Sequence, residues 1–169
     1  MTERREEFSR KKPFFNVYKP NAKSTVGSAA QFSYDDHKKA IFLEMCPQNG
    51  ELLPKGSKGQ FNWPEDKLTF KLGDIDIGQL LLVFNGRKTE AKLIHKPQNP
   101  EVTNNYTSVV ELKKQSGKYD NYLLKLSRTE TNNENKRETR AVSVYIDHHE
   151  MAILSAFIRE SLVRMLGFN

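Results

Sequence analysis

The stretch that decides the fold is FNWPEDKLTFKLGDIDIG, residues 61–78. Within residues 67–72, apolar and polar side chains alternate, and this period of two predicts a β-strand with one apolar face. Asp74 follows as a candidate N-cap, and apolar residues at helical spacing predict a short helix that closes at the Asn85-Gly86 pair. The change from strand to helix within a few residues indicates a domain that contains both.

Further strands are predicted on both sides of this segment. They lie at residues 26–34 and 39–46 before it, and at 91–95, 108–113, 122–127 and 141–146 after it. The polar residues 129–139 are expected to form an exposed hairpin loop. Asp147 and Glu150 form a capping-box pattern that begins a last helix, and Gly167 ends it. The order is strands, a helix, strands and a second helix.

The chain of 169 residues has the size of one domain. Residues 1–13 are dense in charge and are expected to form a flexible tail, whereas residues 14–169 form a single domain. The one cysteine, Cys46, excludes an intramolecular disulfide and a zinc site of several cysteines. Without an apolar signal-peptide core, a transit peptide or a transmembrane segment, the expected location is the cytoplasm of a bacterium or a phage-infected cell.

The net charge of +6 and the pI of about 9.3 favour a polyanionic partner, either nucleic acid or an anionic membrane surface. Many soluble proteins are mildly basic, so the charge alone leaves the partner open. Patterns typical of enzymes are missing, since the sequence has neither a Gly-rich phosphate loop nor a Gly-x-Ser-x-Gly elbow. The adjacent His148 and His149 point in different directions and are poor ligands for one metal ion. We therefore expect a non-enzymatic protein without a cofactor or a metal site.

Lysines interleaved with aromatic residues are the more informative pattern. Single-stranded nucleic acid needs cations for its phosphates and flat rings for its unstacked bases, and a strand presents every second residue on one face. The same pattern also fits a solvated polar face, or rings that a second sheet or a neighbouring subunit covers. The candidate nucleic-acid-binding residues are Lys39, Phe42, Trp63, Lys67, Lys71, Lys92, Tyr122, Lys125 and Tyr145.

Residues 61–78 resemble the Whirly family of plant single-stranded DNA-binding proteins, in which an aromatic-x-Trp turn also leads into an alternating strand and a helix. Residues 93–97 are similar to the strand of that family that ends in His-x-Pro. Residues 143–146 and 152–157, with Leu166-Gly167, are similar to its last strand and helix. The resemblance covers roughly residues 27–168.

This resemblance implies an α+β fold of two four-stranded antiparallel β-sheets with two helices, assembled as a homotetramer. It implies sequence-tolerant binding of single-stranded DNA in replication, recombination or repair, with the strand lying across the sheets and between subunits. Three alternatives stay open: an RNA-binding or RNA-annealing protein of the same fold, a transcription regulator, and a protein whose basic surface meets an acidic partner. The wide apolar surface of the last helix fits either subunit packing or burial under its own sheets.

Overall fold

A computed structural model describes residues 12–21, 26–49, 61–96, 105–131, 134 and 136–168. Its strands form two four-stranded antiparallel sheets, and in each sheet the strands lie in chain order. The first sheet contains β1 (Phe14–Lys19), β2 (Ser28–Asp35), β3 (Ala40–Pro47) and β4 (Leu68–Leu72). The second contains β5 (Glu90–His95), β6 (Asn105–Lys114), β7 (Tyr122–Thr131) and β8 (Arg137–Ile146). The predicted pair of four-stranded sheets is confirmed.

Within the described residues, three helices accompany the sheets, one more than expected. α1 (Trp63–Asp66) is a single turn between β3 and β4, α2 (Asp74–Phe84) follows the first sheet, and α3 (His148–Met165) follows the second. α1 forms because Pro64 has a backbone already suited to a first helical turn, and it stops because Lys67 is extended, with φ −70° and ψ 146°. Trp63 is the first residue of this small helix, which ends just before β4.

The core lies between the inward faces of the two sheets. On β4 the alternation predicted from the sequence is confirmed, because Leu68, Phe70 and Leu72 are buried and Lys71 is exposed. α2 packs against α3 and β5, and α3 packs against β1 and β3. Both helices extend the same apolar cluster with Ile77, Leu80, Val83, Met151, Leu154 and Ile158.

The prediction of a loop over residues 129–139 is wrong for most of this segment. β7 continues to Thr131 and β8 begins at Arg137, with these two residues paired in register. The hydroxyl oxygens of Thr129 and Thr139 lie 2.9 Å apart across the ribbon. Backbone ladder bonds hold this hairpin whatever the polarity of the side chains, and threonine itself favours strands.

The helix ends agree closely with the sequence patterns. The Asp147 N–H donates to Glu150 at 2.9 Å, which confirms the capping box of α3. Gly86 and Gly167 have φ of 69° and 76°, the left-handed conformation that commonly follows a helix. Asp74 is the first residue of α2 rather than its cap, and Asp76 instead accepts the Gly73 N–H at 3.0 Å. In the described ranges, no helix has both the length and the apolar character to cross a membrane.

Gly27 lies where the chain returns from β1 to β2. The Gln48 side chain accepts from the Asn21 N–H at 2.8 Å and donates to the Asn21 carbonyl at 2.9 Å. The Gln48 N–H donates to the Gly27 carbonyl at 2.8 Å. This buried glutamine therefore ties the loop after β1 to the loop after β3.

The predicted tail falls largely on residues 1–11, which lie outside the described residues.

Candidate nucleic-acid interface

The outer face of the first sheet gathers five aromatic side chains, and we call it the ring face. Phe14 and Tyr18 are exposed by 58% and 47%, whereas Phe42, Phe61 and Trp63 are half-buried. Strand period places the first three on the outward side, because the alternate residues Val17, Ile41 and Leu43 fill the core. The ring face therefore combines an apolar foundation with accessible rings.

The strand register arranges these side chains in rows. Phe14 lies opposite Ser33, Ser33 opposite Phe42, and Phe42 opposite Lys71. Adjacent strands are about 5 Å apart, so Phe14 and Phe42 stand roughly 10 Å from one another. The ammonium of Lys38 lies 5.1 Å from the centroid of the Phe42 ring, a cation–π contact. Two rings, Phe14 and Phe42, and two cations, Lys38 and Lys71, thus share one end of the ring face.

A three-ring cluster occupies the other end. The Tyr18 centroid lies 5.8 Å from that of Phe61 and 6.4 Å from that of Trp63, and Phe61 and Trp63 are 6.4 Å apart. The planes are tilted or perpendicular, which leaves the exposed ring of Tyr18 available on one side. Phe61 and Tyr18 were not among the predicted site residues, although Phe61 lies two residues before the Trp63 that was.

The turn between β2 and β3 positions Lys38. Asp35 accepts the backbone N–H groups of His37 and Lys38, both at 3.1 Å, and the ammonium of Lys12 at 2.6 Å. The hydrogen bond from Lys12 and then that from the Lys38 backbone lower the pKa of Asp35 to about 2. This carboxylate therefore stays ionised near neutral pH and organises the turn, as expected of aspartate in a turn.

Lys39 lies in this turn and not at the start of β3, where the sequence placed it. Its φ is +44° and its ammonium pairs with Asp36 at 2.9 Å. The hydrogen bond with Asp36 outweighs desolvation and raises the pKa of Lys39. Lys39 therefore lies at the edge of the ring face, and its charge is paired with that of Asp36.

Most of the predicted lysines have carboxylate partners. Lys67 pairs with Glu44 at 2.5 Å, and Lys92 and Lys125 lie on either side of Glu111, at 3.3 and 3.9 Å. Lys71 has no ion pair within the described part of the chain. The positive charge of the sheet surfaces is therefore more locally balanced than the sequence suggests.

The second sheet presents a different outer face. Lys92, Glu111, Lys125 and Ser143 form one row across it, and Tyr145 is the exposed ring in the next row. Three predicted residues, Lys92, Lys125 and Tyr145, therefore lie together on the second sheet, whereas Phe42 and Lys71 lie on the first. Trp63 and Lys67 lie with the ring face.

Tyr122 is buried, so its prediction as a nucleic-acid-binding residue is wrong. It is 7% exposed, faces the core beside Leu124, and meets the His148 ring edge-on at 5.5 Å. A ring in this position has no free face for a base.

A cleft of about 500 Å³ opens between the loop after β1 and the outer side of β8. Lys19, Val26, Gly27 and Tyr145 contribute to its walls. Lys19 donates to Asp147 and Glu150, both at 2.8 Å. Burial lowers the pKa of Lys19, but these two carboxylates raise it more, so the ammonium stays charged.

The polar groups at the start of α3 are already matched. Asp147, His149 and Glu150 have ligand atoms within 4.8 Å of one another, the spacing of a metal site. The Lys19 ammonium, however, contacts both carboxylates and supplies the positive charge there.

Cys46 is buried, and burial raises the pKa of its thiol to about 11, so the thiol stays protonated.

Comparison with known proteins supports the architecture. No protein-family model matches the chain, and no curated protein matches it. Among solved structures, it is similar to one described as "Crystal structures of trypanosoma bruciei MRP1/MRP2", with a TM-score of 0.63 and 19% sequence identity. The similarity covers 94% of this chain and 97% of that chain. At this identity the match shows a shared α+β fold over nearly the whole length.

Proposed function

We propose that the protein binds single-stranded nucleic acid across the ring face and catalyses no reaction on it. The observation that carries this proposal is the concentration of accessible rings, Phe14, Tyr18 and Phe42, on one sheet surface. Each base stacked on an aromatic side chain contributes about 1–3 kcal/mol, whatever its sequence. Duplex DNA hides the faces of its bases, so this surface favours unpaired strands.

Cations on the ring face would hold the phosphates. Lys38 and Lys71 lie beside Phe42, whereas Lys67 must exchange its contact with Glu44 for a phosphate. Each phosphate contact on a single strand contributes about −0.7 to the slope of log affinity against log salt. Two such contacts give a slope of about −1.4, or about a 25-fold loss of affinity for a tenfold rise in salt. Stacking then supplies much of the affinity.

The Whirly-like pattern of residues 61–78 supports single-stranded DNA as the partner, with a role in replication, recombination or repair. The ring face itself would also stack the bases of RNA, so RNA is the second candidate. The two differ by the 2′-hydroxyl, which a matched pair of oligonucleotides tests directly.

We also infer that α3 joins copies of this chain into a homo-oligomer. The inward side of this helix is buried in the core through Met151, Leu154 and Ile158. Ile153 and Val163 on its other sides, and Leu166 and Phe168 just after its end, are exposed apolar side chains. Exposed apolar patches mark protein–protein contacts. A tetramer, as the Whirly resemblance implies, is the favoured assembly.

Fluorescence anisotropy with labelled oligothymidylate, oligouridylate and a duplex of equal length tests the nucleic-acid proposal. We expect tight binding to the single strands and weak binding to the duplex. Phe14→Ala and Phe42→Ala should each weaken binding by about 1 kcal/mol or more. Tyr119→Ala is the matched control, because Tyr119 is 62% exposed but lies in the β6–β7 loop.

Lys71→Glu should lower the salt slope by about 0.7 as well as the affinity. If Tyr145→Ala abolished binding while both phenylalanine variants bound normally, the strand would lie on the second sheet and the ring face would be wrong. Absence of binding to every oligonucleotide at low salt would contradict the function itself.

A further inference from the structure

Two amide side chains stand between the exposed rings of the ring face. Asn16 lies midway between Phe14 and Tyr18 on β1, and Gln31 is its direct partner on β2. The Oδ1 of Asn16 is shielded from solvent and accepts no hydrogen bond. Within the described ranges, the Gln31 side chain likewise has no hydrogen-bond partner. Buried polar groups are usually satisfied, so the unpartnered Oδ1 of Asn16 at this place needs an explanation.

The orientation of a base stacked on the ring face would explain why the amides lie there. Side chains on a strand stand roughly perpendicular to the sheet, so a base that stacks on Phe14 or Tyr18 also stands upright. Its hydrogen-bonding edge then faces the sheet between the rings, where Asn16 and Gln31 lie. Rotation of either amide about its last side-chain bond presents its oxygen and its NH₂ group to that edge.

We propose that Asn16 and Gln31 recognise the edge of the stacked base and make the protein prefer adenine and cytosine. This inference rests on the proposed binding of a single strand to the ring face. It replaces indiscriminate stacking with a preference for the two bases that carry an amino group where guanine, thymine and uracil carry a carbonyl.

The acceptors in this row account for the direction of the preference. Asparagine and glutamine pair with adenine through two hydrogen bonds, and a carboxylate accepts from the amino group of cytosine. Glu44 lies opposite Gln31 in the same row, and Lys67 contacts only one of its carboxylate oxygens. Thymine and uracil carry a carbonyl where these two bases carry the amino group, so they offer no donor there to Glu44 or to Asn16.

The test uses the full chain and an oligothymidylate whose central block is replaced by adenine, by cytosine or by purine, which is adenine without its amino group. We expect the adenine and cytosine strands to bind about fivefold more tightly than oligothymidylate, the lower end of the effect of one good base contact. The purine strand should lose the advantage of adenine. This comparison needs no variant and so does not depend on folding.

The double variant Asn16→Ala/Gln31→Met should bind the adenine strand with the affinity of oligothymidylate, because it removes both amides that would pair with adenine. Gln31→Met alone, which keeps the side-chain length, should reduce the preference if the double variant unfolds. Ser33→Ala is the control, because Ser33 lies in the neighbouring row between Phe14 and Phe42.

Equal affinities for adenine and purine strands, or an unchanged preference for adenine in the double variant, would overturn base recognition by the two amides while leaving strand binding intact. Failure of the wild-type protein to bind any of these strands would instead remove the proposed function, and the base preference with it.

Discussion

Gly27 occupies a place that admits no side chain. A Cβ built there would lie 2.0 Å from the Oε1 of Gln48, 2.7 Å from the Asn21 nitrogen and 2.9 Å from the Lys19 carbonyl oxygen. Two of these atoms are backbone, and the glutamine is held by its bonds to Asn21, so none can move away cheaply. The loop that leads into the cleft therefore depends on this glycine.

We expect Gly27→Ala to lower the free energy of unfolding by about 2 kcal/mol or more, because overpacking shifts the backbone. Gly78→Ala is the matched control. Gly78 lies inside α2 with no neighbouring atom within 4 Å of the added Cβ, so this change should stabilise the protein by about 0.5–1 kcal/mol. Urea denaturation of both variants measures the difference, and equal effects would refute the explanation.

The sequence identified individual site residues where the strand period is clear. Lys71 and Phe42 lie out of phase with apolar neighbours, and both face outward as predicted. Tyr122 is in phase with Leu124 and Leu126, so the same rule, applied to it, would have predicted burial. Phe14 and Tyr18 were not predicted as site residues. β1 carries aromatic rings on both faces, so apolar and polar residues do not alternate clearly along it.

Among the elements, α3 is tied to the first sheet at its first turn. Lys19 of β1 bridges Asp147 and Glu150, the two residues of the capping box. The hydrogen bond from Lys19 lowers the pKa of Asp147 despite partial desolvation. The helix start and the edge strand therefore stabilise one another through one ammonium group.

Asp147→Ala should cost about 1 kcal/mol near neutral pH, because the helix loses its cap and Lys19 loses a partner. Since the folded-state pKa of Asp147 lies below the ordinary value of 3.8, the wild-type advantage is present above that pH and disappears as the pH falls through the folded-state pKa. Thermal unfolding at several pH values measures this convergence. Asp74→Ala at the start of α2 should cost a few tenths of a kcal/mol, about the effect of the helix dipole alone. Among the described residues, the Asp74 carboxylate accepts only the Ile75 N–H.

The elements that the sequence failed to predict have weak local signals. α1 has four residues, and its Pro64 is equally typical of a turn. The outer ends of β7 and β8 are polar on both faces, so neither period nor hydrophobicity distinguishes them from a loop. Their pairing is a property of two strands together, which a scan along one chain segment does not detect.

At the scale of the whole molecule, two arginines of the second sheet hold the first sheet. Arg128 donates to the Thr69 carbonyl and Arg140 to the Asp66 carbonyl, both at 2.9 Å. These contacts join residues 59 and 74 positions apart and fix β4 and α1, which carry Lys71 and Trp63. Such long-range bonds explain why the sequence predicted the site residues but not their division between two faces.

The proposed homo-oligomer makes a prediction at the same scale. Ile153→Asp places a charge on the outward side of α3 and should lower the solution mass toward that of the 19.5 kDa chain. Ile94→Asp is the matched control, because Ile94 has the same 55% exposure but lies on the outer face of the second sheet. Light scattering of the two variants measures the solution mass and so tests whether α3 forms the interface. Dissociation by Ile94→Asp alone would show that the interface lies on the second sheet instead.

The three-ring cluster has a practical consequence for spectroscopy. Trp63 is the only tryptophan of the chain, so its fluorescence reports on the end of the ring face without interference from other indoles. A base that stacks on Tyr18 would lie close enough to that indole to quench its fluorescence, so a titration could be followed without a label. The single native cysteine, Cys46, is buried and protonated, so a thiol introduced at Tyr119 would take up a dye selectively. The protein thus offers an intrinsic reporter on the ring face and a separate site for a dye in the β6–β7 loop.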